Sequence, residues 1–222
     1  MCGRYGIGRS GETLSRELEA EWRGAAFAGR WNVAPSQQVP VAVQEEGRLW
    51  LGRFRWGLCV SWAKEQGIPV EPINARAEEA ASKPFFRAAF ERRRCLVPAD
   101  GFFEWQRTGR GKVPHWIHPP GGEVLTFAGL WEYWAPSDAE PVHSFTILTT
   151  PASEAVRLIH ERMPVILSPE ERLVWLDPHS RPTELKALLR PYGGSLVAHP
   201  VSSRVNSPGN DGPEVVEPAP EG

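Results

Sequence analysis

The strongest constraint on this chain is its succession of short β-rich runs, each closed by turn residues and interleaved with helical segments in no regular order. Val39 to Val43 and Leu49 to Trp56 flank Glu45-Glu46-Gly47-Arg48 and predict a hairpin. Cys95 to Trp105 predicts strand, turn, strand, with Ala99-Asp100-Gly101 as the turn. Val113 to Trp131 predicts a second hairpin around Pro119-Pro120-Gly121-Gly122, and Ser144 to Thr150, Met163 to Leu167 and Ser195 to Val201 predict further strands. Helices are expected after Ser10, where Leu14, Leu18 and Trp22 share a face, over Ala75 to Ala81, and from Pro84. Three more are expected from Thr150-Pro151 to about His160, from Ser168 with Glu171 at capping-box spacing, and from Pro182 to Arg190. The regular strand-helix alternation of a parallel sheet is missing, as is any phosphate-loop or dinucleotide glycine pattern. The expected fold class is therefore α+β, a single domain with a curved, mainly antiparallel, barrel-like β-sheet core flanked by short helices.

A core of that size can be filled: 41% of the 222 residues are hydrophobic, ten of them tryptophan. From Ser207 the chain turns rich in Pro, Gly, Asn and Glu, so the domain is expected over 1–206, with a disordered acidic tail over 207–222. Three cysteines without close pairing argue against a disulfide framework or a zinc ribbon and for a reducing, cytoplasmic setting. No apolar stretch approaches the roughly 20 residues of a membrane span. The formal charge is −2, but the segment from Val201 sets Arg204 against Asp211, Glu214, Glu217 and Glu221, which leaves the body near +1. Any nucleic-acid partner must then be met by a local patch rather than by bulk charge.

Cys2 is the residue with the most distinctive chemistry. If Met1 is removed, Cys2 presents an α-amine of pKa about 7.7–8.0 beside a thiol of about 8.5. Such a 1,2-aminothiol condenses with an aldehyde to an imine and closes through sulfur to a thiazolidine, or uses the thiol as nucleophile with its own amine as base. Position alone is equally consistent with an ordinary packed cysteine.

Other candidates read two ways. Glu104 follows Gly101-Phe102-Phe103 and precedes Trp105; burial among these aromatics would make it a general acid near neutrality, while a strand-surface residue or an arginine partner is the plain alternative. Trp105 is either core or a platform for a base. His160, with Arg162 close behind, stands where a helix meets a strand, as a proton shuttle or as a stabilising cation at a helix end. Asn74 is a helix N-cap or a holder of an α-amine, with Arg76 beside it for a phosphate. His115 and His118 lack a third ligand at a recognisable spacing, so no metal and no cofactor is expected. Arg92-Arg93-Arg94 reads as a solvated helix end, and Cys59 and Cys95 as buried core thiols.

Eight blocks in order, CGRY at Cys2, NVAPSQ at Asn32, RWGL at Arg55, INARAE at Ile73, RCLVPADGFFEW at Arg94, FAGLWE at Phe127, TILTTPA at Thr146 and HERMPVIL at His160, resemble the SRAP (SOS response-associated peptidase) family from Cys2 to about Val201. Cys59-Val60 departs from the aliphatic residue and proline that often follow WGL in that family, which bears on the shape of the local loop. The resemblance implies binding of abasic sites in single-stranded DNA and self-crosslinking through Cys2, shielding the site from cleavage in the DNA damage response. It implies that Asn74 orients Cys2, that Glu104 is the acid/base, and that His160 assists the sugar chemistry and its reversal. Arg4, Arg76 and Arg162 would contact phosphates, with Trp56 and Trp105 near the flanking bases. A nucleoid-associated monomer acting with replication-fork components is the expected setting. The alternatives are an N-terminal-nucleophile peptidase or hydrolase, which the family name suggests, and a non-catalytic single-stranded DNA-binding module.

Overall fold

A computed structural model describes residues 2–65, 67, 70–109, 111–137 and 140–220. The first strands, β1 (Tyr5–Ile7), β2 (Glu21–Trp22), β3 (Arg30–Val33), β4 (Gln38–Glu45) and β5 (Arg48–Trp56), surround helix α1 (Gly11–Glu17). Helices α2 (Ser61–Glu65), α3 (Ala77–Ala80) and α4 (Pro84–Arg92) follow, with β6 (Asn74–Arg76) between the first two. Then come β7 (Arg94–Ala99), β8 (Gly101–Thr108), β9 (Gly111–His118), β10 (Leu125–Trp134), β11 (Val142–Pro151) and β12 (Arg162–Pro164). Helices α5 (Pro169–Leu176) and α6 (Pro182–Leu188), strand β13 (Val197–Pro200) and two 3₁₀ turns, Ser203–Asn206 and Pro213–Val216, complete the chain.

Five of these strands close a barrel. β5, β4, β7, β10 and β11 pair antiparallel in that order, and β11 returns to β5 in parallel, Ser144 against Arg55 and Phe145 against Trp56. Trp56, Phe127, Phe145, Tyr5 and Leu51 are fully buried in the main core. A second sheet, in the order β13-β9-β8-β1-β3, stands beside it. β7 and β8 meet at a bend at Asp100, the strand, turn, strand that the sequence predicts, but the two strands do not pair: the chain passes there from the barrel into the second sheet. The arrangement is α+β with a barrel core, as the pattern of short strands predicts.

Several local expectations give way to tertiary pairing. The 113–131 hairpin does not form: β9 pairs β8 and β13, whereas β10 pairs β7 and β11. The hairpin in this region is β8 with β9, Thr108 opposite Gly111. α1 takes Ser10 as N-cap, its side chain accepting from Thr13 N, but stops before Trp22 because Glu19 reverses the chain at φ 52°. Thr150 belongs to β11, and 153–160 winds through single turns instead of a helix. The β4–β5 turn is as read: Glu46 and Gly47 both take positive φ, the geometry a two-residue hairpin needs. At the Cys59-Val60 departure, Cys59 N–H donates to Ser144 Oγ at 2.8 Å and the loop stays packed.

The expected disordered tail is a correction. Residues 207–220 pack against the second sheet, with Val215 buried and Val201 bridged to Pro218. Composition points to disorder there because the segment is held by hydrogen bonds and one buried valine, Val215, rather than by an apolar run. Residues 221 and 222 lie outside the described residues.

Candidate active site

The site forms where the second sheet meets the barrel. β1 pairs β8 with Tyr5 opposite Phe102 and Gly6 opposite Gly101, and Phe103 N–H donates to Arg4 O at 2.9 Å. Carried on, that register sets Glu104 across from Gly3, next to Cys2. From the barrel side, β6 lies parallel to β11 with Asn74 opposite Ile147. Asn74 Nδ2 donates to Cys2 O at 2.7 Å, and its Oδ1 is buried with no hydrogen-bond partner among the described residues. Asn74 is thus a strand residue; the N-cap of α3 is Arg76.

Cys2 is fully buried, its thiol directed to Arg4 O at 3.7 Å. Burial pushes the thiol pKa far up, and the nearby Glu104 charge adds to this. Glu104 is 3% exposed, and burial raises its carboxyl pKa against the opposing charge of His160. Glu104 Oε2 lies 3.8 Å from His160 Nε2, an ion-pair distance when the imidazole is protonated. His160 Nδ1 lies 3.0 Å from Arg162 N and 3.2 Å from Arg162 O, which fixes the ring with Nε2 facing Glu104. The plain alternatives for Glu104, a surface residue or an arginine partner, do not describe this carboxyl. Met1, whose removal would free the Cys2 amine, lies outside the described residues.

The SRAP model, SOS response associated peptidase, matches residues 1–208. The chain belongs to the SRAP family. The abasic site processing protein YobE of Bacillus subtilis is 41% identical over 213 residues, covering 94% of this chain and 97% of its own. YoqW, an abasic site processing protein of the same organism, is 38% identical over 222 residues, covering 98% and 99%. A crystal structure of a Bacteroides thetaiotaomicron protein matches with TM-score 0.89 at 25% identity, over 98% of this chain and 100% of that one.

Within this SRAP fold the nine expected site residues divide. Cys2, Asn74, Glu104 and His160 come together, and Arg76 is exposed beside them at the end of β6. Trp105 is half-buried, donates from Nε1 to Asn206 Oδ1 at 2.8 Å, and lines a cavity of about 490 Å³ with Arg107, Arg157, Leu158 and His160. Trp56 does not reach a base-binding surface: it is fully buried, donates to Ile73 O at 2.9 Å, and stacks on Phe145 at 6.2 Å. Its place in the RWGL block gave no sign that β5 closes the barrel there. Arg162 is held bidentate by Glu78 at 2.6 and 2.9 Å and also donates to Thr149 O. Arg4 is engaged by Asn32 Oδ1 at 2.8 Å and Val205 O at 2.7 Å. A phosphate at either arginine would therefore compete with partners already in place.

Two cavity residues escaped the sequence reading. Arg107 is exposed two positions beyond Trp105 on β8, hence on the same face, a period-two signal that was available. Arg157 lies in the turn that folding brings across to β8, where Gln106 Nε2 donates to Leu158 O. His115 and His118 direct Nδ1 to the carbonyls of Val113 and Pro119. Arg94 is not a solvated residue: it is buried and donates to the carbonyls of Phe90, Glu91, Trp175 and Asp177.

Proposed function

We propose that this SRAP protein recognises abasic sites in single-stranded DNA and joins them to Cys2 as a thiazolidine. The observation that carries the reading is the convergence on Cys2 of Asn74 from the barrel and of the buried Glu104–His160 pair from the other side. The related proteins named for abasic site processing support it.

An abasic deoxyribose rests mainly as a cyclic hemiacetal. Opening it requires a proton delivered to the ring oxygen and one taken from the C1′ hydroxyl. A carboxyl whose pKa is raised by burial is suited to the first transfer and, once ionised, to the second. The Cys2 amine, with Asn74 Oδ1 as acceptor for one of its hydrogens, then adds to the C1′ aldehyde. Loss of one water leaves an imine. The thiol adds across the C=N bond, sulfur to carbon and proton to nitrogen, closing the five-membered ring. In sum, protein and sugar join with release of one water.

The buried thiol favours this order of events. Its raised pKa keeps it as S–H in the resting site, which suits a hydrolase nucleophile poorly. An iminium on its own amine would place a positive charge in the same residue and stabilise the thiolate when it is needed. Trp105, with Arg107 and Arg157 around it, offers a stacking face and cationic groups for the strand beside the lesion.

The test is a denaturing gel of mature protein mixed with a single-stranded oligonucleotide carrying one abasic site. A shifted covalent band is expected, lost in Cys2→Ala and lost when Met1 is retained. An equally strong band in Cys2→Ala would assign the chemistry to another amine and overturn the reading.

A further inference from the structure

The 201–219 segment does more than cover the second sheet. It leaves β13, makes the Ser203–Asn206 turn, and closes on itself where Val201 bridges Pro218 and Ala219 N–H donates to Pro200 O at 2.9 Å. Val205 and Val215 are buried against Phe103 and Trp116. Its polar groups then reach the site. Asp211 Oδ1 accepts from the backbone N–H groups of Trp31 and Asn32, both at 2.8 Å, while Oδ2 accepts from Arg30 Nε at 2.7 Å. Asn32, fully buried, donates from Nδ2 to the carbonyls of Asn210 at 2.7 Å, Ser207 at 3.0 Å and Val205 at 3.1 Å. The other end of that amide, Oδ1, receives Arg4 Nη1, which also donates to Val205 O.

A chain of contacts thus runs from Asp211 through Asn32 to Arg4, two residues from Cys2. The chain between these residues is short and extended, and Arg4 O itself takes Phe103 N–H and the Cys2 thiol. Fixing the Arg4 side chain from the strap side therefore adds a second restraint on Cys2 to the one that Asn74 supplies. The same strap holds Trp105 through Asn206. Asp211 and Val215 lie beyond the 1–208 span that matches the family.

We propose that residues 201–219 form a C-terminal strap that holds Cys2 in reacting position, with Asn32 and Asp211 as its positioning residues. This rests on the crosslinking reading above. The strap contributes no atom to the reaction; it narrows the range of amine positions relative to the sugar, and loss of such orientation lowers the rate once DNA is bound more than it lowers DNA affinity.

The experiment compares wild type, Asp211→Ala, Asp211→Asn and, as a control matched for lost thermal stability, Leu185→Ala in helix α6, outside the strap. Two readouts are taken: the single-turnover crosslinking rate at saturating abasic single-stranded DNA, and amide hydrogen exchange of the peptide covering residues 2–7. Asp211→Ala is expected to react about 10- to 100-fold more slowly at unchanged affinity for the same strand with a non-reactive tetrahydrofuran site. Exchange over 2–7 should quicken. Asp211→Asn keeps an oxygen for the Trp31 and Asn32 amides and should recover most of the rate, and Leu185→Ala should keep both readouts near wild type. A wild-type rate and unchanged 2–7 exchange in Asp211→Ala overturn the strap. Equal slowing in Leu185→Ala also overturns it, by showing that stability alone sets the rate. A wild type that forms no crosslink overturns the crosslinking reading instead, and the exchange readout still decides whether the strap restrains Cys2.

Discussion

The barrel and the sheet beside it hold their parts of the site by different means. The barrel is closed all round by backbone ladders and filled with apolar side chains, and it presents Asn74 from a strand pinned to β11. The second sheet, which carries Cys2 and Glu104, joins the main core through Tyr5, Ile7, Phe102 and Ile117 and also packs over a small cluster of Phe103, Trp116, Val201, Val205 and Val215. Its closure also uses polar side chains, the buried Asn32 and the part-buried Asp211 above all. An apolar core loses stability in proportion to the volume removed, whereas a polar network changes geometry when one member is lost. One wall of the site is therefore stiff by packing, and the other by packing together with its hydrogen bonds.

The sharpest way to separate the walls is at Glu104. Glu104→Gln keeps the shape and removes the ionisable group, and should slow crosslinking about 100- to 10,000-fold, the usual contribution of a general acid or base. Stability should move the other way. Burial favours the neutral carboxyl, so the folded chain retains this proton to higher pH than the unfolded chain does. The contribution of Glu104 to stability then falls as pH rises from about 4.3 through the raised folded value. Thermal melts across pH should show Glu104→Gln more stable than wild type above that window, with the advantage shrinking below it. A constant difference at all pH values would contradict the buried, neutral carboxyl.

The two tryptophans expected near DNA make the next contrast. Trp56→Ala in the barrel should cost about 3–5 kcal/mol of folding stability through the cavity it leaves. Trp105→Ala on the second sheet should melt much closer to wild type but weaken single-stranded DNA binding by about 1–3 kcal/mol. Binding titrations and denaturant curves on both variants check this, and a binding defect without a stability defect in Trp56→Ala would break the comparison. The smallest effect is expected at Arg107. Arg107→Ala should weaken binding uniformly across sequences and reduce the slope of log K against log salt by about one.

How much of this was legible in the sequence follows from the same division. The barrel strands carry continuous apolar runs, and the Glu46-Gly47 turn and Ser168 cap are local signals that survive in the structure. Pairing between distant strands is not local, which is why the strand, turn, strand from Cys95 to Trp105 is legible in the sequence while its crossing from one sheet to the other is not. Cys2, Asn74, Glu104 and His160 were legible by residue type and block. The burial that raises the Glu104 pKa, and that removes Trp56 from any DNA surface, appears only when β8 and β5 are packed. The order of the tail is not legible because it comes from the side chains of single polar residues, Asn206, Asn210 and Asp211, which composition counts as solvent-loving.

The central claim is that the reacting unit is the Cys2 aminothiol, and mass spectrometry of the crosslink tests it most directly. Protein freed of Met1 is reacted with abasic single-stranded DNA without borohydride, digested with protease and nuclease, and the adduct is sequenced. The account predicts an adduct confined to Cys2, formed with loss of one water, and with no free thiol left at that residue. An adduct on a lysine, or one on Cys2 whose thiol still reacts with an alkylating agent, would contradict it.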